Sequence, residues 1–271
     1  MFYQKYPPGS ALIPFVECFF LWQSEEEGER CFESPPSGFC SIVFNLGDPY
    51  FIENSKHRRL QLPARFVAGQ AIYSYKLQFY GRIAQAGIVF KPAGLSTIFD
   101  LAMFPLVEER MPLESLLSPE KTAAITKRLE ETESADQKIG VLRSFMQELL
   151  LERKPVSDQI DVAANQIVQR NGIVRIDQLL ENSFMTRRTF ERRFLYKVGL
   201  SPKYYARVRR ISYLCNLIAG NAKVDWQQVL HDCEYFDQAH FIRDFESFTG
   251  RSPQNYLKDN AELKRFLADR S

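Results

Sequence analysis

Nine basic side chains, Arg187, Arg188, Arg192, Arg193, Lys197, Lys203, Arg207, Arg209 and Arg210, fall between positions 183 and 210 against one acid, Glu191. Guanidinium groups at this density have two chemical uses. They form charge-assisted bonds to phosphate oxygens, and they make bidentate contacts with O6 and N7 of guanine. The segment carries +8, so the remainder of a 271-residue chain whose total is +2 carries −6. A solvated helix face ordinarily mixes both signs, and segregation of this kind reads as a surface that faces phosphate.

The basic run lies in a longer stretch, 186 to 256, in which one pattern is written twice. Shifted by 51 positions, Phe190, Arg192, Phe194, Gly199, Ser201, Pro202 and Tyr205 coincide with Phe241, Arg243, Phe245, Gly250, Ser252, Pro253 and Tyr256. Two copies do not make a stacked repeat array, which needs three or more. Each copy decodes as a leading helix, a turn, a second helix, and a Gly followed by Ser-Pro that ends one helix and opens the next. In the first copy the spacing predicts a helix over 176–181, a turn over 182–185, and a second helix capped by Thr186 and running to Val198. Phe190, Phe194 and Val198 then share a buried face, while Arg188, Thr189 and Arg192 point away from it. Pro202 to Ala219 reads as a linking helix of about 27 Å at about 1.5 Å per residue. With its flanking turns, that length suits two second helices set about one turn of B-DNA apart, roughly 34 Å.

The pair Thr-Arg-Arg-Thr-Phe-Glu-Arg-Arg-Phe (186–194) with Gly-Leu-Ser-Pro-Lys-Tyr-Tyr (199–205), and Phe-Asp-Gln-Ala-His-Phe-Ile-Arg-Asp-Phe (236–245) with Gly-Arg-Ser-Pro-Gln-Asn-Tyr (250–256), resembles the AraC/XylS family of bacterial transcription regulators. The resemblance covers roughly 157–258. It implies two helix-turn-helix units joined by a helix, double-stranded DNA as ligand and RNA polymerase as a protein partner. One departure is Glu234-Tyr235-Phe236, where the family usually has a Gly in the turn.

The residues expected to meet DNA are Thr186, Arg187, Arg188, Thr189, Glu191, Arg192 and Arg193 in the first unit, and Gln238, Ala239, His240, Ile242 and Arg243 in the second. Arg188 and Arg192 are the candidates for guanine, with contact to phosphate alone as the alternative. Glu191 either accepts from cytosine N4 or orients an arginine, and His240 fixes the turn, meets a phosphate or reads a base. Residues 225–258 sum to −3, so the first unit is expected to dominate affinity.

Residues 1–105 hold 20 of the 36 aromatic residues, with Pro/Gly-rich breaks at 7–9, 35–38, 47–49 and 91–94. Between the breaks, 15–22, 39–46, 65–69, 73–80 and 84–90 read as strands of a small β-barrel or sandwich, followed by a short helix over 95–104. The segments 36–49 and 86–94 are similar to a cupin-like N-terminal domain of a subgroup of the same regulators, which implies a sensor or dimerisation module. Ser118-Pro119 and Ser134 with Gln137 open a helical hairpin. Its second helix carries Ile139, Leu142, Phe145, Met146, Leu149 and Leu150, a stripe that serves either its own core or a homodimer seam.

The resulting fold class is α+β: a β-rich domain over 1–153 that ends in two helices, an all-α double helix-turn-helix domain over 156–260 opened by Ser157, and a tail over 261–271. The aromatic interior is either a plain packed core or the site of a small-molecule effector. Five cysteines without a Cys-x-x-Cys pair read as free thiols in a reducing, cytoplasmic setting. No apolar run is long enough to span a bilayer, so no membrane contact is expected. His57 is the one histidine of the N-terminal part, too few for a cupin metal centre, and no nucleophile elbow, P-loop or dinucleotide fingerprint is present. No cofactor and no enzymatic activity are expected. Glu17, Glu53 and Asp100 are the carboxylates that proximity would have to unite for catalysis. The alternative reading is an N-terminal domain acting as a small-molecule enzyme or a protein-docking module.

Overall fold

The computed structural model describes residues 1–220 and 224–259. The tail expected over 261–271 lies outside the described residues.

The N-terminal part is built from two antiparallel sheets. One has six strands, β1 (Phe2–Tyr6), β2 (Val16–Ser24), β9 (Ile83–Phe90), β4 (Ser41–Asn45), β7 (Arg65–Ala68) and β10 (Arg110–Pro112), in that spatial order; the other has β3 (Arg30–Ser34), β8 (Tyr75–Phe79), β5 (Tyr50–Glu53) and β6 (Leu60–Gln61). Of the two expected architectures the sandwich forms, as open sheets. Strand alternation explains the layering. On β2, Phe19 and Leu21 face the helices, while Phe20 and Trp22 face the smaller sheet, and on β4 the same division separates Ile42 and Phe44 from Val43. A strand buried on both faces reads as a continuous apolar run, which is why Val16 to Trp22 resembles no half-solvated strand.

The outer helical layer contains α1 (Gly94–Phe99), α2 (Pro119–Glu130) and α3 (Ala135–Arg153). Ser118 and Ser134 cap α2 and α3 through the backbone N–H groups of Lys121 and Gln137, as their spacing predicts. Ile139, Leu142, Phe145, Met146 and Leu149 are all buried against Phe19, Phe44 and Phe90. Of the two uses considered for the stripe, the core of its own domain is the one it serves.

The C-terminal part is α-helical: α4 (Gln159–Gln169), α5 (Ile176–Ser183), α6 (Arg187–Val198), α7 (Pro202–Gly220), α8 (Trp226–Asp232), α9 (Gln238–Thr249) and α10 (Pro253–Asp259). The cap of α4 is Asp158, not Ser157. Its carboxylate accepts from the N–H groups of Ile160 and Asp161, and Asp161 reaches back to the Asp158 N–H, a reciprocal box that a Ser at 157 stands one residue too early to make.

Two phenylalanines and a tyrosine fill each helix-turn-helix core, Phe190, Phe194 and Tyr205 in the first and Phe241, Phe245 and Tyr256 in the second, and all six are buried. Phe194 lies 6.0 Å from Tyr205 between ring centres, and Phe245 lies 5.3 Å from Tyr256 edge-on. This is the physical content of the repeat.

The two parts are fastened together at several places. Arg209 and Tyr205 on α7 donate to the carbonyls of Ser37 and Gly38, the Met103 N–H donates to the Tyr196 carbonyl at the end of α6 (2.8 Å), and the Ser74 N–H donates to the Phe248 carbonyl on α9 (2.9 Å). Arg251 also pairs with Glu33.

Cys40, Cys215 and Cys233 are buried thiols. Burial pushes the Cys40 and Cys215 thiols up to about 12 and Cys233 up to about 11, which keeps them protonated.

Candidate nucleic-acid interface

Thr186 begins α6 by accepting from the Thr189 N–H, and its hydroxyl donates to Thr189 Oγ1 at 3.0 Å. Asp237 begins α9 in the same way, accepting from the His240 N–H at 2.6 Å. Both recognition helices end on a left-handed glycine, Gly199 (φ 86°) and Gly250 (φ 72°). In the second turn Glu234 adopts φ 54°, so a non-glycine residue takes the left-handed conformation where the family pattern has Gly. Phe184 does the same in the first turn at φ 55°.

The basic segment does not present +8 to solvent. Arg187 is held by Asp177 at 2.6 Å and approaches Glu191 at 3.8 Å, an exposed i,i+4 pair on α6. Arg193 binds Asp158 at 2.6 Å, and Lys197 binds Asp161 at 2.5 Å and Asp158 at 3.0 Å. Arg207 is tied to Asp244, and Arg209 is buried over the Phe39 ring. Arg188, Arg192 and Lys203 remain exposed, with no ion pair among the described residues. The carboxylates that pair with Arg187, Arg193, Lys197 and Arg207 come mainly from α4, α5 and α9, which a local charge count does not see.

Burial alone would raise the Asp158 carboxyl, but the Lys197 ammonium and the hydrogen bonds it accepts hold it below its ordinary value. A depressed carboxyl stabilises the fold above its unfolded value, about 3.9, and the contribution is lost as pH falls through the lower folded value. The α4–α6 clamp is therefore expected to persist at mildly acidic pH and to loosen below about pH 3.9, which acid titration followed by tyrosine fluorescence would register.

On α9, Gln238, Ala239, His240 and Arg243 are exposed, while Ile242 is half-buried and packs on the domain core. Most of the Ile242 side chain therefore serves packing. Sequence reasoning passed over Phe184 and Phe236, each 93% exposed in the turn before a recognition helix. Their signal is an aromatic residue within two positions of the helix cap at Thr186 or Asp237. Glu17, Glu53 and Asp100 are not brought together: Glu17 pairs with Lys91, Glu53 with Lys76, and Asp100 lines a groove with Arg192 and Tyr196. Among the described residues no group of His, Cys, Asp and Glu could hold a metal, and no helix is long and apolar enough to cross a membrane.

Two capped recognition helices, each packed on its own phenylalanine core and joined by one continuous helix, define a double helix-turn-helix domain, the architecture of a DNA-binding module. Residues 179–259 match the family of helix-turn-helix domains. Residues 4–112 match a domain of unknown function, DUF6597.

Among solved structures the chain is similar to ToxT from Vibrio cholerae bound to (E)-4-(8-methylnaphthalen-1-yl)but-3-enoic acid, with 11% identity over 94% of this chain and 98% of that one and a TM-score of 0.48. It is also similar to the unsaturated fatty acid-bound wild-type ToxT from Vibrio cholerae, with 13% identity over 88% and 93% and a TM-score of 0.46. No curated protein sequence matches the chain.

Proposed function

We propose that the chain is a sequence-specific transcription regulator that places α6 and α9 in successive major grooves on one face of the duplex, under control of a small molecule held in its N-terminal part. The observation that carries the reading is the pair of exposed recognition surfaces at the two ends of α7, whose 19 residues span about 28 Å at about 1.5 Å each. In this account the DNA-binding residues are those expected from the sequence, led by Arg188 and Arg192. The regulatory and DNA-binding parts divide between 153 and 156, and RNA polymerase is the protein partner at the promoter.

Replacing Arg188 or Arg192 with Ala should weaken binding to the selected operator by about 1 to 3 kcal/mol each and relax base choice at one position. Arg243→Ala should cost less, since α6 exposes two uncommitted arginines and α9 one. Titration of the variants against operator and single-base variants checks this. Equal losses, or a larger loss for Arg243, would remove the first unit from its leading role.

Effector control is supported by a cavity of about 420 Å³ between the sheets, lined by Phe20, Trp22, Val43, Ile52, Phe66 and Leu77 and walled on one side by Arg209, Ser212 and Asn216 of α7. Gln85 leaves its Nε2 and Arg209 its Nε without a hydrogen-bond partner in this cavity, an arrangement that suits an apolar body bearing an acceptor group. Because α7 is both cavity wall and spacer, occupancy and helix placement are mechanically linked. The fluorescent probe 1-anilinonaphthalene-8-sulfonate should bind the wild type stoichiometrically and lose that site in Val43→Trp, which fills the space. Equal binding by both proteins would place the probe elsewhere and leave the cavity without this role.

A further inference from the structure

Three elements of the C-terminal part converge on one open groove of about 560 Å³. Lys203, Arg207 and Arg210 line it from α7 at spacings of four and three, which puts them on one helix face. His240 and Arg243 line it from α9, and Ile176 lines it from the start of α5. The walls carry four permanent cations against one carboxylate, Asp244, for a net +3. Both oxygens of that carboxylate are occupied, Oδ1 by Arg207 and Oδ2 by the Tyr235 hydroxyl at 2.8 Å, so it compensates Arg207 and leaves the charges of Lys203, Arg210 and Arg243 for an incoming anion.

Two of the cations are held in place before any ligand arrives. Arg207 lies over the Tyr204 and Phe248 rings, and Arg210 lies over Tyr235. A further source of positive potential is α5, whose N-cap residue, Arg175, makes no side-chain cap. Lys203, Arg207 and Arg210 belong in sequence to the same basic run as the arginines of α6. The fold assigns them to this groove, between the leading helix of the first unit and the recognition helix of the second.

We propose that the groove seats the phosphodiester backbone of the duplex where it passes between the two recognition helices, a phosphate site that adds affinity and carries no base information. The inference rests on the reading of α6 and α9 as the DNA-facing helices. A duplex that receives both in successive major grooves must carry its intervening backbone across α7, and α7 meets it with this face. Cations spread over two helices and open at one side suit a continuing strand, whereas one small anion would use a fraction of them. Arg243 is then a phosphate contact.

The test uses the full chain with Lys203→Gln and Arg243→Gln, a duplex selected from genomic DNA and an unrelated duplex. Each variant should reduce the steepness of log K against log salt by about 0.9, the value of one phosphate contact. The Lys203→Gln loss should be equal on the two duplexes. Neutral methylphosphonates midway between the half-sites should weaken the wild type and produce no further loss in Lys203→Gln. Lys203 is exposed, so its variant should match the wild type in circular dichroism.

An unchanged salt slope in both variants, with the wild type binding normally, would overturn the proposal. So would protection of Lys203 from acetylation by pyrophosphate but not by duplex, which would make the groove a small-anion site. Absence of salt-sensitive duplex binding by the wild type would instead strike the DNA-facing reading itself, and the groove assignment with it.

Discussion

Asp244→Ala should destabilise the chain by about 3 kcal/mol, the lower end of the range for breaking a buried ionic pair because the Arg207 partner is partly solvated. Asp244 is 5% exposed, and it accepts from Arg207 Nε at 3.0 Å and from the Tyr235 hydroxyl at 2.8 Å. Burial and then the Asp244 carboxylate push the Tyr235 phenol well above its ordinary value, so the phenol remains protonated and donates. Removing the carboxylate leaves a half-buried guanidinium and a buried hydroxyl without their partner, and it unties α9 from α7. The cost should therefore appear twice in experiment: as a lower urea midpoint and as weaker binding to any duplex. Asp244→Asn should recover part of the stability, because its amide oxygen still accepts from one donor. A denaturation midpoint for Asp244→Ala equal to the wild type would show that the pair does not secure the second unit.

Gly172→Ala should cost about 2 to 4 kcal/mol, since overpacking against backbone adds to conformational strain. Gly172 has φ 77°, and a Cβ there would lie 2.1 Å from the Ala206 carbonyl oxygen and 2.6 Å from the Arg210 nitrogen. Both atoms belong to the backbone of α7, so no side-chain rotation relieves the contact, and the α4–α5 connection must lift away. Gly250→Ala is the matched control. Its φ is 72°, but nothing lies within 4 Å of an added Cβ, so only the left-handed strain, about 1 kcal/mol, remains. Comparable losses at both positions would mean that the approach of the α4–α5 connection to α7 contributes little.

The recognition helices were legible because their determinants are local. Caps at Thr186 and Asp237, phenylalanines on one face and a terminal glycine all lie within one helix length, and the second copy repeats them. The fate of the arginines was not legible, because each is decided by a distant partner. Arg209 is buried by the Ser37 carbonyl, Arg193 is met by a cap on α4, and Arg207 is met by Asp244 from α9.

The edge strands were missed for a different reason. β1 is five residues long, largely solvated and held by pairing with β2 across Tyr3 and Trp22, and β10 is three residues long. A strand that owes its existence to a neighbour carries little signal of its own. The stripe on α3 was visible as apolar periodicity, but what it packs on required the six-stranded sheet to be in place.

The central claim is that α6 and α9 occupy successive major grooves on one face of a duplex. Hydroxyl-radical footprinting of the full chain on a fragment selected from genomic DNA tests it most directly. The account predicts two protected windows about one helical turn apart, displaced along the same face, with the first window lost in an Arg188→Ala, Arg192→Ala double variant before the second. A single protected window, or two windows on opposite faces of the duplex, would contradict it.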